Sequence, residues 1–187
     1  MAGFPITAPD LPRPVTFDQF WADLTFVQWP VRPEAVEHLY PPGTRPDVFD
    51  GMTYVGLIPF TMRHTAVGAA LPLPYFGTFH ETNVLMYSID RTRRGLHSRM
   101  TVRIGADLEP TPLEVWLTAR WGAHTRKAGR TWWVPNEHAT WSFRSAEVLE
   151  LDDELVAAAG VEPAGDRLRA LFSAGVRARF GRPTRVK

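Results

Sequence analysis

Between Leu117 and Trp141 the chain reads LTARWGAHTRKAGRTWWVPNEHATW, which places Arg120, His124, Arg126, Asn136, Glu137 and His138 among Trp121, Trp132, Trp133 and Trp141. An arginine reads a carboxylate through paired N–H donors. A histidine changes charge near neutral pH, so His138 could act as acid or base with Glu137 or Glu81 orienting it. A second group lies in FHETNVLMYSI, Phe79–Ile89, where Glu81 and Asn83 share one face of an alternating strand with Phe79, Leu85, Tyr87 and Ile89. Facing an interior, that carboxylate and amide could bind or polarise a small polar ligand, the Glu81 pKa rising with burial. Plainer roles compete with each of these. Glu81 could pair with Arg120 or Arg126 as a structural ion pair, and Asn136 and His138 could tie down a loop. The tryptophans, Trp116 included, could stack a planar ligand or fill core.

Other chemistries find no support. His64, His80, His97, His124 and His138 form no His-x-His, His-x-x-x-His or HExxH pattern, so no metal site is expected. Ser88, Ser98, Ser142, Ser145 and Ser173 stand outside any GxSxG context. Cysteine is absent, which removes disulfides, thiolate ligands and cysteine nucleophiles. The formal charge of +1 argues against a nucleic-acid binder. Arg91, Arg93, Arg94, Arg99 and Arg103 read as a solvated basic face, with weak anion or RNA contact as the alternative. No run of 18 apolar residues occurs and the first residues lack a signal-peptide pattern, so the expected location is the cytoplasm, with no membrane partner. No cofactor is expected.

Positioning these residues requires a sheet. The 187 residues, 44% hydrophobic and 22% charged, suit one globular domain, here 15–187 behind a Pro-rich arm, 1–14, read as mobile or loosely docked. Thr16 or Asp18 is expected to cap a short helix over Phe17–Asp23. Strands are expected at Leu24–Val31, its end demoted by Pro30 to an edge or a strand exit, and at Met52–Met62 after an Asp50-Gly51 turn. A helix opens at Pro33 and stops before Pro41. His64–Thr78 reads as a loop, Phe79–Ile89 as a strand, Asp90–Gly95 as a turn, and His97–Ile104 as a strand pairing back. Thr111 and Glu114 form a capping-box pattern before a helix over Pro112–Trp121. Gly129 marks a hairpin turn, Phe143–Leu151 and Leu171–Phe180 are strands, and a helix over Asp152–Ala159 ends at Gly160. The fold class is thus mainly β (α+β): about eight antiparallel strands, a closed or half-closed barrel, and three or four short helices.

Several phrases taken in order, DLTFVQWPV, DVFDGMTYVGLIPFTMR, FHETNVLMY, the hairpin segment, AEVLELDDELVAAAGV and LFSAGVRARFGRP, resemble the YqjF-like family of uncharacterised bacterial proteins over nearly the whole chain. The resemblance implies a fold similar to acetoacetate decarboxylase, a curved antiparallel barrel or cone with a polar pocket, and no established reaction. It also implies a stretch near 90–100 that this chain shortens to the RTRRG turn, in the region that overlays the decarboxylase lysine segment. The two lysines here are Lys127, beside the Gly129 turn, and Lys187 at the end, which argues against a Schiff base.

The resulting expectation is a pocket for a small polar organic molecule, an organic acid, lined by Glu81, Asn83, Arg120, His124, Arg126, Asn136, Glu137 and His138, with no catalytic residue assigned. The alternative is a catalytically inactive structural or interaction module that self-associates as a homo-oligomer.

Overall fold

The computed structural model describes residues 5–68, 78–85 and 95–186. Over these it is mainly β, nine strands with three short α-helices. The strands are β1 (Phe17–Val31), β2 (Thr53–Val67), β3 (Phe79–Leu85), β4 (Ser98–Leu108), β5 (Gly122–Lys127), β6 (Arg130–His138), β7 (Phe143–Asp153), β8 (Ala170–Phe180) and β9 (Thr184–Arg185). The helices are α1 (Pro33–Val36), continued by a 3-10 turn over Glu37–Leu39, α2 (Pro112–Thr118) and α3 (Leu155–Ala158).

The sheet runs β3-β2-β1-β8-β6-β5, every pairing antiparallel. β8 is the branch point. Its start, Ala170–Phe172, pairs with β7 and its end, Ala178–Phe180, pairs with β6, while β1 covers its other edge. β4 joins β7, and among the described residues the sheet does not close on itself. The expected return pairing of 97–104 onto the Phe79 strand is therefore replaced, over these residues, by pairing of β4 with β7. Residues 69–77 and 86–94, which carry most of the expected loop, the end of the Phe79–Ile89 strand and the Arg91–Arg94 turn, lie outside the described residues.

Why β1 and β2 are so long follows from their composition. LTFVQWPV and TYVGLIPF are near-continuous apolar runs, suited to a strand buried on both faces. Leu24, Phe26, Ile58, Phe60 and Met62 point to one face, where Trp141, Phe143 and Val176 complete a core. Val31, Val55 and Leu57 point to the other, against Val36 of α1 and Val156 beside Val161 after α3. Each such side chain, fully buried, stabilises the fold by about 1.5–3 kcal/mol.

Two expectations change here. Phe17–Asp23 is strand, not helix. Its apolar residues at 17, 20 and 21 imitate helical spacing, yet β2 and β8 pair it on both sides, and Asp23, at φ 56°, marks the irregularity that breaks its alternation. Gly175 sits opposite Ala22 at φ 134°, where a Cβ would meet the Trp21 carbonyl oxygen at 2.2 Å. Pro30 stands at the expected edge or strand exit, where β1 pairs with β2 alone and ends at Val31. The missing Pro30 N–H faces the side that β8 does not reach, where the Pro30 carbonyl accepts from Ala164 at 2.8 Å. Finally, β2 runs on through His64 to Val67, which shortens the loop expected from His64.

Candidate functional site

Four segments build one cleft of about 440 Å³. One wall is the β5–β6 hairpin, whose two-residue turn places Ala128 at φ 51° and Gly129 at φ 73°, the pair of positive angles a type I′ turn requires. Its register sets Gly122 opposite Pro135 and His124 opposite Trp133, so these four share a face, and all four line the cleft with Asn136.

The second segment is the exit of α2. Thr111 accepts from the Glu114 backbone N–H at 3.3 Å, and the Glu114 carboxylate takes the Thr111 N–H at 2.7 Å. That capping box starts the helix, which ends at Thr118 and delivers Arg120 and Trp121 to the cleft. The third segment is the loop between the 3-10 turn and β2, with Tyr40, Arg45 and Asp47. Arg120 holds it, donating from Nη1 to Asp47 Oδ2 at 2.9 Å with its guanidinium carbon 4.2 Å from the Trp116 ring centre. Thr131 of β6 adds a bond of 3.2 Å to the Pro42 carbonyl.

The N-terminal arm supplies the fourth, through Pro5 and Pro9–Pro12. Residues 5–14, expected to be mobile or loosely docked, touch the rest of the fold at Pro5 and Leu11. Leu11 is buried, and the Trp121 indole donates to the Pro5 carbonyl at 2.8 Å.

Electrostatically the cleft is mixed, with Arg45, Arg120, Asp10 and Asp47. Arg45 is exposed and makes no ion pair with a described residue. Burial lowers the His124 pKa, partly offset by Asp47, so the imidazole is neutral at pH 7. Burial also pushes the Tyr40 phenol above its ordinary range. Asn136 is only 8% exposed, and its Oδ1 is buried without a hydrogen-bond partner among the described residues. An acceptor left so costs about 1–3 kcal/mol.

Of the eight residues picked from sequence, Arg120, His124 and Asn136 line this cleft. His138 lies one layer away, its ring 4.7 Å from both Trp121 and Trp141, with Nδ1 donating to the Ala139 carbonyl at 2.8 Å. Glu137 instead pairs with Arg179 at 2.5 Å, and Arg126 is exposed near the turn. Glu81 and Asn83 stand on β3, opposite Phe60 and Ile58, with β2, β1, β8 and β6 between them and β5. They are not among the residues lining the cleft. Sequence reasoning missed Arg45, Asp47 and the arm. The available signal was a Pro- and Gly-rich loop, PPGTRPD, carrying charge between two apolar strands. Among the described residues no group of three or more His, Asp or Glu could hold a metal, and no helix is long and apolar enough to cross a membrane.

No curated protein and no solved structure matches the chain. The model of DUF2071, described as an uncharacterized conserved protein, matches residues 18–99 and 86–177, overlapping stretches that hold β1 to β7 and most of β8. This is the family that the ordered phrases of the sequence resemble. The chain belongs to the DUF2071 family of uncharacterized conserved proteins.

Proposed function

We propose that the chain binds a small organic acid in the cleft between the β5–β6 hairpin, the Tyr40–Asp47 loop and the arm. The observation that carries this reading is the convergence of Arg45, Arg120, neutral His124 and Asn136 on one concave surface of mainly apolar residues, where Asp47 is already engaged by Arg120 and Asp10 is the other carboxylate. Its volume falls in the range of small-molecule sites, about 300–1,000 Å³. Arg45 is assigned to the carboxylate, since a charge-assisted guanidinium contact is the strongest polar contact such a ligand can make here. Arg120 holds the loop through Asp47, which takes up its charge. No reaction is assigned. The finer fold reading, a cone like that of acetoacetate decarboxylase, belongs to the same proposal.

Calorimetric titration with a panel of small carboxylates tests it. Saturable binding that weakens about tenfold or more in Arg45→Ala is the expected result. Equal affinity in the variant, or no binding to the wild type, would refute it.

A second reading, self-association, has one observation in its favour. β3 has no strand on its outer edge among the described residues, and Phe79 and Leu85 on it are 45% and 43% exposed. Light scattering that returns a monomer at all concentrations would remove it.

A further inference from the structure

Gly122 is small for a reason other than backbone freedom. A Cβ there would lie 2.3 Å from Cζ2 and 2.5 Å from Cη2 of Trp133, so the six-membered ring of that indole rests directly on the Gly122 backbone. His124, opposite Trp133 in register, flanks the same indole with ring centres 4.9 Å apart and planes at 52°. Trp133 belongs to neither hydrophobic core of the sheet and lines the cleft instead. A tryptophan that only filled space would be covered by core side chains. This one is seated on bare main chain and braced by a neutral imidazole.

From this geometry we infer the class of ligand: a planar aromatic or heteroaromatic carboxylate, its ring stacked on Trp133 and its carboxylate met by Arg45. The inference rests on the proposal that the cleft binds an organic acid and narrows it. Tyr40, Trp121, Pro9 and Pro135 complete the apolar surround of a flat body. A saturated ring of equal size loses the face-on contact, because its axial hydrogens hold it off the indole plane, while its carboxylate keeps the same charge for Arg45. Gly122 and Trp133 therefore act as specificity-determining residues and Arg45 as the charge-reading one.

Benzoate and cyclohexanecarboxylate form a matched pair of probes, titrated calorimetrically against the full chain. The expected result is tighter binding of benzoate by roughly three- to tenfold, the size of a ring-on-ring contact. Trp133→Leu is expected to erase that preference, and Trp133→Phe, which keeps a flat ring, to retain most of it. Gly122→Ala should also erase it by lifting the indole, yet have no effect on the preference when made in the Trp133→Leu background. Near-UV dichroism of each variant identifies any that fails to fold, and a saturable benzoate-induced shift of the Trp133 indole N–H in the wild type then decides, its absence overturning the platform. Equal affinity for the two acids, with Arg45 still required, would overturn the aromatic class and leave the organic-acid reading standing. A preference that survives Trp133→Leu would overturn the platform. No binding of either acid would overturn both readings together.

Discussion

The indole N–H of Trp121 reaches the carbonyl of Pro5 at 2.8 Å, a bond between residues 116 positions apart that ties the arm over the cleft. The other side of this arrangement is aromatic, since Trp121 packs on His138. Trp121→Phe keeps the ring but removes the donor. A hydrogen bond of this kind contributes about 1 kcal/mol, so backbone amide order parameters over Ile6–Asp10 should fall while the global melt moves little. Unchanged order parameters would mean that Leu11 alone holds the arm.

A second prediction concerns the support beneath α2. The Glu114 carboxylate is buried between Thr111 and Arg169, whose Nε lies 2.5 Å from Oε1. Burial acts to raise its pKa, and the hydrogen bonds from Arg169 and Thr111 outweigh that and hold it below the ordinary range. Glu114→Ala removes the cap and leaves Arg169 and the Thr111 N–H without their acceptor, which should cost about 3 kcal/mol in urea unfolding. Arg169→Ala should cost about 1 kcal/mol, because that side chain is half exposed and the Thr111 bonds persist. Equal losses would contradict this assignment of roles.

Those two contacts show what was legible in the sequence. The capping box is a local pattern, Thr111 and Glu114 three residues apart, and so is the turn at Ala128-Gly129; both are set by neighbours in the chain. The hairpin wall of the cleft followed from them. The Arg120–Asp47 pair spans 73 positions and depends on a loop with no periodicity, so nothing in the sequence announced it. Glu81 and Asn83 were correctly placed together on a strand, but alternation reports a face and not a position in the sheet. Which strands lie between two faces is a property of topology. The β1 start failed for a related reason: over seven residues, apolar spacing fits either a helix or a bulged strand, and pairing with β2 and β8 decided the outcome.

A third prediction is pH dependence from His138. Burial is the main cause of its lowered pKa and outweighs the carbonyls of Ala139 and Arg120, which act to raise it. The unfolded chain then takes up a proton near the ordinary value of about 6.5 while the folded chain does not, so stability is complete above that pH and declines below it. The urea midpoint should fall between pH 7 and pH 5, and His138→Phe should flatten part of the fall. His124, also lowered by burial, accounts for another part. His97 works in the opposite sense. Asp152, by hydrogen bond and charge, and then Glu154 raise its pKa, so its contribution is present below about 6.5 and lost as pH rises through the folded value. His97→Asn should therefore make the acid-side fall steeper.

The most direct test of the cleft reads the indole N–H signals of the seven tryptophans during a titration with benzoate. The account predicts saturable shifts at Trp133 and Trp121, which line the cleft, and none at Trp29, which packs against the α1–α3 side of the sheet. Shifts centred on Trp29, or no saturable shift at Trp133 and Trp121, would contradict it.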